Sequence, residues 1–306
     1  MNKVPILVLA FNRADHVSEA MKAIRDYQPD RLYLECDGPR EAKEGEEEKV
    51  KATRKAMLDA VDWPCEVKTL FREQNMGCAH AVNDAITWFF ENEEYGIICE
   101  DDIILGQDFF KFCEIILPRY AKEERIMSIS AQNRSMRNDI NNTYVYSYNY
   151  DCWGWASWRR AWNKMDMSMS RMPEITRSAM IRRYGLIGGL KRFADLTKAY
   201  VNIKDLSSWA TRFESSIIAE NGLVIVPGSN LAINIGMDGG AHYEQGDINP
   251  YNSLKVGAIQ WPLVYNDSQK VDDIQARYDD KDFLRLRFFG LKKRIRKLFV
   301  SIKMFC

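Results

Sequence analysis

The stretch Ile98-Cys99-Glu100-Asp101-Asp102-Ile103 closes an apolar run, Tyr95 to Cys99, with three consecutive acids. Neighbouring like charges repel, so a strand that ends this way calls for a counter-charge or for solvent. Acids are 43 of 306 residues, so about one such triplet is expected by chance, and a second is present at Glu46-Glu47-Glu48. The surroundings separate the two. Glu46–Glu48 opens a charged segment, residues 40–62, in which Val50, Thr53, Met57 and Val61 recur at helical spacing. That pattern predicts a solvated helix face, where water screens the acids. Glu100–Asp102 instead follows a run apolar enough to be a buried strand.

Upstream of that run, strands and helices alternate. Val4 to Phe11 is continuously apolar, as a central parallel strand is. Asp15 to Tyr27 places Val17, Ala20, Met21, Ile24 and Tyr27 on one helical face. Arg31 to Cys36 and Glu66 to Phe71 read as further strands, and Ala79 to Phe89 as a helix between the last of them and Tyr95. The segment QDFFKFCEIILPRY, residues 107–120, reads as the next helix. This alternation predicts an α/β fold with a mostly parallel sheet covered on both faces. Beyond residue 125 the pattern loosens. Ile126–Ala131, Tyr144–Tyr148 and Leu223–Val226 read as strands, residues 174–222 as mostly helical, and the aromatic CWGWASWRRAW (152–162) as a segment turning into a helix. Residues 236–246 form a glycine-rich loop.

Composition sets the class. The chain is long enough to bury a large core, and 46% hydrophobic with 28% charged residues is ordinary for a globular protein. A net charge of zero argues against a nucleic-acid binder that works through its whole surface. Seven scattered cysteines, with no CxxC pair, suggest neither a zinc site nor a disulfide framework and fit a reducing cytoplasm. The first strand begins within a few residues, with no signal peptide or spanning helix before it.

In an open parallel sheet, ligands bind outside the carboxyl ends of the strands. Here those ends carry Asn12-Arg13, Asp37-Gly38, Arg72 and Glu100-Asp101-Asp102. Arginines and acids along one rim suit a nucleoside diphosphate, its ribose and a divalent cation, which takes one or two carboxylates together with phosphate oxygens and water. Taken singly, Arg13 also reads as a surface residue at a helix start and Asp37 as a turn former before glycine.

The pieces PILVLAFNR (5–13), CDG (36–38), CEDDIILGQDFFKFC (99–113) and the Gly154-Trp155 pair followed by further aromatics, taken in order, resemble the GT-A glycosyltransferases. The likeness is greatest to N-acetylglucosaminyltransferase I and its bacterial relatives, whose DxD motif has a Glu-Asp-Asp form. It covers about residues 4–245. It implies a Rossmann-like sheet with residues 1–125 as the nucleotide-sugar half and 126–280 as the acceptor half, and an inverting transfer of a hexose or N-acetylhexosamine, with UDP as the expected nucleotide. By the same resemblance Asn12, Arg13, Asp37, Glu100 and Asp101 would contact the donor, and Arg72, at its strand end on the same rim, is expected to join them. Asp102 would coordinate Mn2+ or Mg2+, and His242 in the late loop would add a metal or diphosphate contact. Asp151, Trp153 and Trp155 would face the acceptor, sugars stacking on indole rings, although four tryptophans in ten residues also make a core wall. The family places its basic Asp beside a tryptophan in a later helix; here Trp209 is flanked by Ser208 and Ala210. The nearest carboxylates, Asp205 and Glu214, are therefore the candidates for the base.

Two rivals stand beside this expectation. A sugar-phosphate nucleotidylyltransferase has a related sheet but needs a glycine-rich phosphate loop after the first strand, and AFNRADH (10–16) has no glycine. A sugar-binding protein that kept the fold and lost the base would explain Ser208 and Ala210. From Lys281 to Cys306 the chain is basic, with Leu291, Ile295, Leu298, Phe299 and Ile302 at helical spacing. This tail predicts an amphipathic helix, lying either on the protein's own body or on the cytoplasmic face of a membrane, where a glycan acceptor on a lipid carrier would be met.

Overall fold

The computed structural model describes residues 3–135, 137–236 and 254–285. Four strands and their helices alternate through the first third of the chain: β1 (Ile6–Ala10), α1 (Ala14–Tyr27), β2 (Arg31–Cys36), α2 (Glu46–Asp59), β3 (Glu66–Phe71), α3 (Cys78–Asn92) and β4 (Tyr95–Glu100). A short β5 (Ile103–Leu105) and α4 (Gln107–Arg119) follow. The second part contains β6 (Ile126–Ser130), β7 (Tyr144–Ser147), β8 (Trp155–Trp158), α5 (Arg159–Trp162), α6 (Arg177–Tyr184), α7 (Leu186–Val201), α8 (Trp209–Ala219), β9 (Leu223–Pro227) and β10 (Ala232–Asn234). Residues 273–285 are also helical.

Eight strands form one sheet in the order β3-β2-β1-β4-β8-β6-β9-β7. β8 is antiparallel to both of its neighbours and β7 to β9, while the other pairings are parallel. The mostly parallel α/β architecture expected from the alternation is the one found. Each strand sends alternate residues to opposite faces. Ile6 and Val8 join α1, α2 and α4 in one core cluster, whereas Leu7 and Leu9 join α3 and α8 in another. Burial on both faces is why these strands read as unbroken apolar runs. A separate cluster of Met172, Met180, Tyr184, Leu196 and Ile218 ties α6 and α7 to α8.

The aromatic segment departs from expectation. Trp155–Trp158 is a strand, inserted between β4 and β6, and only the four residues after it are helical. Trp155 has no exposed surface, and its ring stacks on Trp209 at 5.6 Å between centroids. It is a core residue, which corrects its assignment to the acceptor side: a ring with no exposed face cannot receive a sugar. Trp158 and Trp162 are likewise buried, their indole N–H groups donating to the Leu117 carbonyl and to Thr87 Oγ1. The β5–β10 pair and the 273–285 helix were not expected. Among the described residues no helix is long and apolar enough to cross a membrane. His242, and the tail beyond residue 285, lie outside the described residues.

Candidate functional site at the carboxyl rim of the sheet

Register sets the site. Leu9 pairs with Glu35 of β2 on one side and with Glu100 of β4 on the other, so the ends of these three strands are level. The chain leaving β1 carries Arg13 across to the acids that follow β4. The Arg13 guanidinium bonds Asp101 through Nη2 and, at 3.4 Å, through Nε, and the same Nη2 reaches Asp102 Oδ2 at 2.9 Å. One guanidinium against three carboxylates leaves an excess of negative charge. Burial pushes Asp101 up to about 6, with Arg13 working against it. Burial, reinforced by Asp102 and Asp101, pushes Glu100 up to about 8, opposed by Arg13 and by a hydrogen bond from the Trp209 side chain. The charge of Arg13 is disfavoured by its own burial, but the adjacent Asp101 and Asp102 outweigh this and raise its pKa above the ordinary value.

Asp102 Oδ1 is buried and has no hydrogen-bond partner. An orphaned carboxylate oxygen is costly unless something binds it. Among the described residues no three His, Cys, Asp or Glu side chains converge as a ready-made metal cage. One free carboxylate oxygen therefore fits only an ion that draws the rest of its shell from water and ligand oxygens, as Mg2+ and Mn2+ do.

The small sheet presses backbone onto this carboxylate. β10 pairs antiparallel with β5, Asn234 opposite Ile103, and Ile235 N then donates to Asp102 O at 2.8 Å. At Gly236 a Cβ would collide with the Asp102 carboxylate and come 2.9 Å from Arg13 Nη1. Only glycine lets the chain pass here. Gly236, the first residue of the glycine-rich stretch, thus lies directly against Asp102.

Other residues of the expected rim have partners of their own. Asp37 is buried; its Oδ1 accepts from Gly38 N and Met76 N at 2.8 and 3.0 Å, and its Oδ2 from Asn75 Nδ2 and Gly77 N at 3.0 and 3.1 Å. The carboxylate organises the loop that leads into α3. Arg72 reaches Asp84 at 3.2 Å and lies 4.0 Å from Glu35 Oε1. Glu35, which the sequence reading passed over, is buried in an apolar strand with Oε1 lacking a hydrogen bond. Burial, then Asp37, raise its carboxyl well above the usual range.

Asn12 turns away from the acids and donates to Glu46 Oε1 at 3.0 Å. Glu46 also accepts from Arg40 N and Nε at 2.9 and 2.8 Å. Only 2% of Glu46 is exposed, so the solvated face expected for 46–48 holds for Glu47 and Glu48 alone. The Arg40 guanidinium pulls the Glu46 carboxyl down to about 2. A carboxyl depressed by folding stabilises the fold above its unfolded pKa, and that contribution disappears as pH falls through the folded value. Arg40 is half exposed, which weakens the pair. Glu46→Gln should therefore cost about 1 kcal/mol in urea melts at pH 7 and close to nothing at about pH 2. A deficit that does not change with pH would contradict the ion pair.

On the acceptor side, Asp151 pairs with Arg134 at 2.5 Å and accepts from Trp153 N at 3.0 Å, while the Arg134 guanidinium lies 4.8 Å from the centre of the Trp153 ring. Asp205 and Glu214 line one groove of about 340 Å3 with Leu196, Thr211 and Phe283. Arg192, also on that groove, lies 3.4 Å from Glu214. Asp205 also borders a second groove of about 430 Å3, beside Met76 and Gly77 of the loop that Asp37 holds and Cys78–His80 at the start of α3. α8 begins at Trp209 with Ser208 as its N-cap, and the Trp209 side chain hydrogen-bonds Glu100.

Neither a protein-family model nor a curated protein matches the chain. Solved structures match at low similarity. The glycosyltransferase GlyE of Streptococcus pneumoniae has a TM-score of 0.38 and 12% identity over 74% of this chain and 45% of its own. HddC of Yersinia pseudotuberculosis has a TM-score of 0.31 and 11% identity, over 51% of this chain and 77% of its own. A UDP-glucose pyrophosphorylase complexed with UDP-glucose has a TM-score of 0.29 and 10% identity, over 72% of this chain and 98% of its own. Similarity at this level says nothing about the chemistry of the rim.

Proposed function

We propose that the protein is a metal-dependent, inverting GT-A-type glycosyltransferase that moves a hexose or N-acetylhexosamine from a nucleoside diphosphate to a glycan hydroxyl. The observation that carries this reading is the Arg13–Asp101–Asp102 cluster at the end of β4, with one buried Asp102 oxygen left without a partner. A divalent cation bound to Asp102 would supply positive charge to the departing diphosphate. Arg13 fixes Asp101 and Oδ2 of Asp102, leaving Oδ1 as the oxygen that would bind the cation. Glu100, held by Trp209 and kept partly protonated by burial, offers a hydrogen bond to the ribose or the donor sugar. In the transfer, the acceptor oxygen forms a bond to the anomeric carbon as the bond from that carbon to the phosphate oxygen breaks. The electron pair leaves with the nucleotide, and the hydroxyl proton goes to a carboxylate. Of the carboxylates that line one groove, Asp195, Asp205 and Glu214, the last two are the proposed proton acceptors for an acceptor bound there.

A thermal-shift screen of nucleotide sugars with and without Mn2+ tests this without knowledge of the acceptor. At about a hundredfold excess over Kd, specific binding should raise Tm by roughly 5 °C, and only with metal present. No shift with any nucleotide sugar in Mn2+ would refute the reading. A Mn2+-dependent shift without donor hydrolysis would indicate a binding protein instead.

A further inference from the structure

We propose that the α6–α7 hairpin is a docking surface for an anionic lipid bilayer. The inference stands on the exposure and charge of this hairpin and is independent of the transferase reading. α7 is apolar on two faces. Its inner face is already covered: Leu196 packs with Met172, Met180 and Tyr184, and Gly189 lies so close to α6 that a Cβ would be 2.5 Å from Met180 O. Leu186, Ile187, Leu190 and Val201 are nevertheless 64%, 68%, 43% and 73% exposed. Spaced along the helix, with exposed Ala194 between them, they form an outward stripe where a surface helix normally carries polar residues. Leu186 and Ile187 stand at the hairpin tip, directly after the turn at Gly185, whose φ is +73°.

The charge around the stripe is one-sided. Residues 177–201 contain six Lys or Arg and a single acid, Asp195, which is paired with Lys191; Arg183 and Arg192 are buried, and Arg177, Arg182 and Lys198 are exposed. The chain as a whole is balanced, with 43 basic and 43 acidic residues. Arg177, Lys198 and Val201 line the same shallow cavity of about 560 Å3, and the Arg177 guanidinium lies 5.5 Å from the Phe193 ring centre. The helix at 273–285 adds to this surface. Asp280 is wedged against Gly188, and the Phe283 ring lies 3.9 Å from the Arg192 guanidinium. The sequence that follows, 286–306, contains seven Lys or Arg and no acid. Apolar side chains flanked by the exposed Arg177, Arg182 and Lys198, on two helices whose one acid is paired, match a bilayer: the stripe enters the acyl boundary and the cations meet anionic headgroups.

Flotation of the full-length protein with vesicles tests the proposal. The wild type should float with equimolar phosphatidylcholine and phosphatidylglycerol, less so as salt is raised, and not with phosphatidylcholine alone. Leu186→Ser/Ile187→Ser/Leu190→Ser should bind at least about tenfold more weakly at the same salt, with unchanged Tm. Arg182→Glu/Lys198→Glu should lose binding to a similar extent. Flotation of both variants at wild-type levels would overturn the proposal, as would equal flotation of the wild type with neutral vesicles. So would a wild type that is dimeric in solution and a triple variant that is monomeric yet floats equally well, because the stripe would then be an interface between copies of the chain.

Discussion

Asp102→Asn is expected to lower sugar transfer by about a thousandfold and to abolish the Mn2+-dependent part of nucleotide binding. The amide keeps the shape of the side chain but removes the charge that a hard cation needs. The fold should survive, since Arg13 keeps two hydrogen bonds to Asp101 and one of three mutually repelling carboxylates is gone. Calorimetric titration of UDP into the variant, with and without Mn2+, gives the decisive comparison. Metal-dependent binding at wild-type strength would remove Asp102 from the metal site, and with it the main support for the proposed chemistry.

Arg13→Met should cost about 3 kcal/mol of stability at neutral pH, because it strands buried carboxylates that Arg13 now neutralises. The pH dependence has a definite sign. Asp101 already stands at about 6 in the folded protein, pushed up by burial although Arg13 opposes it. Without Arg13 its folded pKa rises further. A carboxyl with a folded pKa above its unfolded value binds protons more tightly in the native state, so stability is greatest at low pH and is lost as pH rises through the folded pKa. The deficit of the variant should therefore be large at pH 8 and small at about pH 4. Urea denaturation at several pH values would show this, and a constant deficit would mean that Arg13 contributes packing and not charge.

Much of this was legible in the sequence, for physical reasons that also explain the failures. β2 is found at the bounds read from its apolar run, Arg31 to Cys36, because both faces of a central strand are buried. β8 was missed because Trp155–Trp158 is as apolar as a helix core and its partners, β4 and β6, are remote in sequence. β5 and β10 have three residues each, too few to show any period. The 273–285 helix is held largely by polar contacts, Gln275 to Asp279, Ser147 to Asp279 and Tyr278 to the Arg134 carbonyl, so it lacks an apolar rhythm. At the site, the acids could be placed because strand ends define the ligand edge. The partners of Asp37 could not, since Asn75, Met76 and Gly77 come some forty residues later and contact it through a folded loop. Glu46 was misread for the same reason: helical spacing shows which way a residue faces, not that Asn12 and Arg40 fold over it.

The reversed strand β8 also constrains the order in which the sheet can be assembled. β3, β2, β1 and β4 all lie within the first hundred residues, so this block can pair within itself once β4, whose partner β1 is the first strand made, has been synthesised. β6, although synthesised before β8, does not pair with β4; it reaches the sheet only through β8. The open edge of β4, residues 95–100, therefore waits for residues 155–158, and β6 and β7 wait in turn for β9, residues 223–227, which joins them. Pairings between remote segments form slowly, and an unpaired strand edge invites association with other chains. On a ribosome emitting the chain from its N-terminus, the interval between residues 100 and 158 is when the nascent protein is most exposed to that hazard.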